Sequence, residues 1–168
     1  MTPDLNKWYV LITRPRAEKQ VSLRLTETGF ENYLPLRRHL RIWNDRKKWV
    51  EEPLFSSYIF VKTEDRLRSR VFEAGGLVKY LSIGSQIATL SEEEIERVKR
   101  LCSYEGEIEV REGELTAGDL IVVTQGHFAG LHGSILKIEG QNKLKLALNG
   151  LGCFASVEID GEWVRKIN

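Results

Sequence analysis

Two cysteines in 168 residues exclude a disulfide-stapled fold and a cysteine-rich zinc module. Cys102 and Cys153 fall in separate predicted elements, neither belongs to a CxxC pair, and the three histidines do not cluster with them. They read as partly buried thiols in a reducing compartment, and no metal or cofactor is expected. Long apolar runs are also missing, so no segment can cross a membrane as a helix. The opening MTPDLNKWYV lacks a basic stretch followed by an apolar core, which predicts a cytoplasmic chain and no export. A charge of one sign is absent too. The net charge is +1, a poor fit to a ribosomal-type RNA binder. A catalytic constellation is lacking: Cys153 lies in a predicted strand, and no group orients His127 or His132 as its base. Glu92 and Glu93 are accounted for by a helix start. No enzyme is expected.

What the chain has is an ordinary globular composition, 42% hydrophobic and 29% charged, enough for one domain or two small ones. Its charge is uneven. Residues 1–103 carry 19 Lys and Arg against 14 Asp and Glu, whereas residues 104–168 carry 6 against 10. Such asymmetry points to two units with different partners. Between them, YEGEIEVREGELTAG repeats glutamates that repel one another and favour an extended, solvated backbone. The expected division is 1–104, a linker at 105–115, and 116–168, with Ile108 and Val110 as candidates for a short strand.

In the first part, WYVLIT (Trp8–Thr13) has the β-branched and aromatic content of a buried strand. Ala17, Val21 and Leu25 then mark a helical face that stops at Gly29. ENYLPLRRHLRIW and RKKWVEEPLF flank the turn signal ND and predict a hairpin. SYIFVKT and GLVKYLSIG are further strands. LSEEEIERVKRLC is a helix with Ser91 as cap, Glu94 as capping-box partner, and an apolar face of Ile95, Val98, Leu101 and Cys102. The pattern predicts an α+β unit, an antiparallel sheet flanked by helices. In the second part, DLIVVT, GSILKI, KLKLAL, CFASVEI and EWVRKI follow at close intervals with no helical period, which predicts a small β-barrel.

Three glycines crowd GHFAGLHGSILKI, yet they are no phosphate cradle. A Walker loop needs Lys and Ser/Thr opening a helix, and Gly133 is followed by a strand. The dinucleotide spacing fails as well. The glycines read as bends between strands of a tight barrel, with Phe128 either plugging its end or projecting as a contact residue.

GDLIVVTQGHFAGLHGSILKIE resembles the KOW motif. KWYVLITRPRAEKQV, EEPLFSSYIFVKT and GLVKYLSIGSQIATLSEEEIERV resemble the N-terminal (NGN) domain of the NusG family of transcription elongation factors, in the family's order. Ser56-Ser57 stands where the housekeeping members carry Pro-Gly, and EEPLF is similar to the specialised RfaH-like and UpxY-like paralogues that serve particular long operons, such as those for surface polysaccharides. The alternatives are a housekeeping member, or a KOW-containing ribosome-associated RNA-binding protein.

The resemblance implies an NGN domain followed by an SH3-like KOW barrel, acting as a monomer. The NGN domain would dock on the clamp helices of RNA polymerase through Ile12, Phe55, Tyr58, Leu81 and Ile83. The same positions also fit a plain sheet core. Arg66, Arg68 and Arg70 would meet the gate loop, sharing one face if they lie on a strand. Arg14, Arg16 and Arg24 would meet the nontemplate DNA strand in the elongation complex. RRHLRIWNDRKKW, with six Lys and Arg around Trp43 and Trp49, fits a stacking platform for single strands or a solvated hairpin whose tryptophans cover the core. The barrel would recruit Rho or a small-subunit ribosomal protein around Phe128, and its glycines and β-branched residues predict a permanent barrel with no helical form.

Overall fold

Trp8, Tyr9, Val10 and Leu11 are consecutive and all buried, so strand β1 (Asn6–Thr13) lies in a sheet covered on both faces. In the computed structural model, which describes residues 5–113, 118–138 and 140–167, the chain forms two compact units, Met1–Glu93 and Glu94–Asn168.

After β1 come helix α1 (Glu18–Glu27) and strand β2 (Glu31–Tyr33). The hairpin strands β3 (Leu36–Ile42) and β4 (Lys47–Pro53) follow, and then β5 (Tyr58–Glu64) and β6 (Leu77–Tyr80). Short strands β7 (Ser82–Ile83), β8 (Gln86–Ile87) and β9 (Thr89–Leu90) complete the first unit. Its antiparallel sheet has the order β2-β5-β1-β6, with β9 also on β1. β3–β4 and β7–β8 are separate two-stranded sheets. Leu11, Ile59, Val61, Val71 and Ala74 form one core with Val21 and Leu25 of α1, so one face of the sheet is sealed by that helix. α1 stops where expected. Gly29 takes φ +86°, and the Phe30 N–H reaches back to the Leu25 carbonyl at 2.9 Å, closing the last turn.

The second unit is built on helix α2 (Glu92–Cys102) from Glu94 onward and on strands β10 (Glu109–Glu112), β11 (Asp119–Val123), β12 (His132–Ile138), β13 (Gln141–Leu148), β14 (Cys153–Glu158) and β15 (Val164–Lys166). The strands form an antiparallel sheet of order β10-β14-β13-β12-β11-β15. Leu144, Leu146 and Leu148 are buried while Lys143, Lys145 and Ala147 are half-exposed, the two-residue period of a one-sided core. The fold is α+β, with two α-helices among the described residues.

The structure differs from the linker reading over Glu109–Glu112, which pairs along β14 from Glu109↔Ser156 to Glu112↔Cys153. All four residues are exposed. An edge strand needs only backbone partners, and charged side chains on it guard against pairing with another chain. The last two positions of the expected linker, 114 and 115, lie outside the described residues.

The crowded glycines serve two different needs. Gly130 has φ +87° with open space where a Cβ would stand. Gly133 sits on β12 where the paired strand β13 lies so close that a Cβ would lie 2.7 Å from the Lys145 carbonyl oxygen. Replacing Gly130 by Ala is expected to cost about 1 kcal/mol through φ alone, and by Asn less, since Asn tolerates the left-handed region. At Gly133 the order reverses: Ala costs about 1–3 kcal/mol by overpacking, and Asn more. Urea unfolding midpoints of the four variants check this.

Candidate functional site

Cross-strand pairing decides which predicted contact residues meet. Val10 faces Phe60 and Ile12 faces Tyr58, so these side chains share the sheet face opposite α1. The Phe55 ring lies 6.3 Å from Tyr58 and 6.4 Å from Phe60, centroid to centroid. The Leu81 N–H donates to the Val10 carbonyl at 2.8 Å, continuing the β1–β6 register and placing Leu81 on the Val10 side. Ile12, Phe55, Tyr58 and Leu81 are thus brought to one face. Ile83 stands apart on the β7–β8 hairpin, 45% exposed, near Ile87 at 37%. Phe55 is not an open contact. Only 9% of it is exposed, because its ring is held against Tyr58 and Phe60.

The three arginines Arg14, Arg16 and Arg24 converge. β1 ends in a turn in which the Arg14 N–H bonds the Gly76 carbonyl at 2.9 Å and the Ala17 N–H bonds the Arg14 carbonyl at 3.1 Å. Arg16 in that turn has φ +63°. A hollow of about 350 Å³ results, lined by Arg14, Pro15, Arg16, Gln20, Arg24 and Gly76. Ala17 caps α1 without a side-chain hydrogen bond, the first-turn Glu18 carboxylate turns to the Ser57 N–H, and the three guanidiniums make the hollow's lining basic. Among the described residues no carboxylate is paired with these arginines.

A neighbouring hollow of about 470 Å³ is lined by Arg16, Glu18, Lys19, Glu52, Pro53 and Ser57. Here Ser57 adopts φ +64°, a conformation that favours glycine. Two hydrogen bonds hold it: its N–H donates to buried Glu18 Oε1 at 2.8 Å, and its carbonyl accepts from the Thr13 N–H at 2.8 Å. The Ser56-Ser57 departure noted in the sequence therefore occupies a position whose backbone is glycine-like.

Arg66, Arg68 and Arg70 do not share a strand face. They occupy two consecutive 3₁₀ turns, Asp65–Leu67 and Arg70–Ala74, with Arg68 between them. Arg66 pairs with Glu64 at 2.5 Å and Arg70 with Glu73 at 3.8 Å. Arg68 lies over the Tyr9 and Tyr80 rings, 5.6 and 6.0 Å from their centroids. The Tyr9 hydroxyl donates to Asp65 Oδ1. Burial, then that bond, pushes the Tyr9 phenol up to about 12, while the Tyr9 and Lys7 bonds hold the Asp65 carboxyl below its usual range. The turn is therefore anchored to the sheet through Asp65, leaving Arg66 and Arg70 exposed.

Phe128, read as a plug or a projecting contact, is buried, with 4% exposed. The Tyr104 ring covers it at 4.9 Å and His127 meets it edge-on at 5.0 Å. Arg100 donates to the carbonyls of His127 and Ala129 at 2.9 and 3.2 Å, and His127 Nε2 lies 2.7 Å from the Arg100 carbonyl. Sequence reasoning missed this clasp. Its only signal was a tyrosine directly after a helix with arginine in its last turn. It also missed Glu18, whose buried carboxylate has no distinguishing mark in the sequence.

Relief of the left-handed serine gives a direct check. Ser57→Gly is expected to raise stability by up to about 1 kcal/mol, read as a higher urea midpoint, because glycine adopts that φ without a Cβ clash. Glu18→Ala, which leaves the Ser57 N–H without its acceptor, lowers it.

Comparison with known proteins bears on the family and the fold. The model of the family described as NusG, transcription termination factor nusG, matches residues 6–99. The transcription termination/antitermination proteins NusG of Streptococcus pyogenes serotypes M1 and M3 are 28% identical to this chain over 168 residues, covering 91% of it and 92% of theirs. The solved structure "Domain interaction in Thermotoga maritima NusG" shares the fold, with a TM-score of 0.53 and 24% identity over 97% of this chain and 98% of that one. No helix among the described residues is long and apolar enough to cross a membrane. With the family match running through nearly all of the first unit, its sheet and its turn hollow, the chain belongs to the NusG family of transcription termination and antitermination factors.

Proposed function

We propose that this protein is a specialised antitermination factor that binds RNA polymerase in the cytoplasm and suppresses pausing on particular long operons. The observation carrying the reading is the sheet face opposite α1, where Ile12, Phe55, Tyr58 and Leu81 come together, with Ile83 exposed on the separate β7–β8 hairpin. An apolar patch of this kind fits the side of a helical coiled coil. Binding the closed polymerase more tightly than the paused one shifts the enzyme toward elongation. Phe55 supports this face from beneath, while Ile12, Tyr58, Leu81 and Ile83 supply contact. Arg66 and Arg70 extend toward the gate loop.

The hollow of Arg14, Arg16 and Arg24 receives a phosphate of the nontemplate strand, with the guanidiniums acting together. The specialised role is supported by Ser56-Ser57 and EEPLF in the sequence. In the barrel, the surface around Phe128 would bind Rho or a small-subunit ribosomal protein once the segment Arg100–Tyr104 leaves it. The NGN-like part is taken as 1–104 and the KOW barrel as 116–168, joined through 105–115.

Phe55→Ala is a poor probe because it removes a buried ring, at about 3–5 kcal/mol of stability. Ile83→Glu is the informative change. It is expected to lower retention on immobilised RNA polymerase at least tenfold with the urea midpoint unchanged, and to abolish pause suppression in transcription through a pause site. Full retention by Ile83→Glu and Tyr58→Ala together removes the assignment of this face.

A further inference from the structure

The β3–β4 hairpin is an exposed arm whose surface the fold does not use. It forms its own two-stranded sheet, paired from Leu36↔Pro53 to Ile42↔Lys47 and closed by the Trp43 N–H on the Arg46 carbonyl at 2.8 Å. A lone hairpin is marginally stable, and it gains little from apolar side chains left in water. Yet Leu40, Ile42, Trp43 and Trp49 are 40%, 66%, 39% and 48% exposed. The tryptophans therefore do not cover the core.

Cations are matched to both rings. Arg38 lies 5.0 Å from the Trp49 centroid, and Arg41 and Arg46 lie 5.9 and 5.5 Å from that of Trp43. Cross-strand pairing puts Trp49 opposite Leu40, with Ile42 and Lys47 on the same face. From Leu36 to Pro53 the hairpin carries six Lys and Arg against three carboxylates, Asp45, Glu51 and Glu52, with Arg41 paired to Glu52 at 2.8 Å, so cations remain in excess. An apolar partner would not need the cations, and a simple polyanion would not need the rings. A strand with unpaired bases needs both: bases stack on the indoles while phosphates meet the guanidiniums.

The arm is also continuous with the arginine hollow. Lys19 of α1 pairs with Glu51 of β4 at 3.3 Å, and the second hollow joins Arg16 and Lys19 to Glu52 and Pro53 at the base of the hairpin. We propose that the β3–β4 hairpin is a second binding site for single-stranded DNA, with Trp43 and Trp49 as base-stacking residues and Arg38, Arg41 and Arg46 as phosphate ligands. The choice of DNA rests on the reading of the adjacent hollow as a nontemplate-strand site.

The test is equilibrium binding of a twenty-nucleotide oligothymidylate to the full chain at two salt concentrations, followed by anisotropy and by tryptophan fluorescence. The Trp43→Ala/Trp49→Ala double variant is expected to lose about tenfold or more in affinity and most of the fluorescence quenching, whereas Trp43→Phe/Trp49→Phe keeps affinity within about threefold. Arg38→Gln/Arg41→Gln/Arg46→Gln is expected to flatten the salt dependence by about two in log–log slope. Unchanged affinity in the Trp-to-Ala and hairpin arginine variants overturns the proposal. So does tighter binding of oligouridylate, or equally tight binding of duplex DNA that ignores the tryptophans. The neighbouring reading is scored separately by Arg14→Gln/Arg24→Gln. Loss there alone leaves the hollow standing and removes the hairpin, and loss in the hairpin variants alone does the reverse.

Discussion

The antiparallel ladder between β1 and β5, seven residue pairs from Asn6↔Glu64 to Ile12↔Tyr58, sets the position of everything else in the first unit. Its two-residue period sends Leu11, Ile59 and Val61 beneath α1 and Val10, Ile12, Tyr58 and Phe60 to the opposite face. A one-residue slip would exchange the two sets and set each against the wrong neighbours, since Val10 and Phe60 are as fully buried as Leu11, Ile59 and Val61. Each of the two strands also adjoins a turn that lines a hollow. β1 runs into the Arg14–Ala17 turn, and β5 begins directly after Ser57. The Glu18 carboxylate fastens the second turn to the first turn of α1. That one buried carboxylate keeps a strained serine in place and fixes the wall shared by the two hollows.

Much of this was legible in the sequence. The β1 strand, the α1 face at Val21 and Leu25, its stop at Gly29, the ND hairpin and all five barrel strands follow from periodicity and turn chemistry. The three arginines around the first hollow could be named because a strand-to-helix turn gathers neighbours in sequence. Where sequence reasoning fell short, the outcome depended on distant partners. Phe55 looks like an exposed aromatic until Phe60 is placed against it, and of the two readings of Phe128, plug or projecting contact, only the Tyr104 ring placed over it decides for the buried one. The alternation of Arg66, Arg68 and Arg70 suits a strand, but Asp65 is tied to Tyr9 and the segment winds into short turns instead. Glu109–Glu112 reads mainly as linker in the sequence, with Val110 a candidate for a short strand; the strand forms because at a sheet edge its charges stay in water.

The aromatic residues divide by what they need. Tyr9 is buried and Tyr80 half-buried; both are neutral and fastened by hydrogen bonds, with both phenols pushed up to about 12, mainly by burial. They stiffen the turn that presents Arg66 and Arg70. Their contribution to stability is complete below about pH 10 and is lost as pH rises toward about 12, outside physiological conditions. Trp43 and Trp49 instead keep wide exposure, with guanidiniums placed over their rings.

The central claim is that the sheet face opposite α1, not the barrel, grips RNA polymerase. Hydrogen–deuterium exchange of the chain with and without polymerase tests it most directly. Protection confined to residues 8–12, 55–60 and 81–87 within the first unit is the predicted result. Protection restricted to the strands between Asp119 and Lys166, with residues 55–60 and 81–87 exchanging as in the free chain, would contradict it.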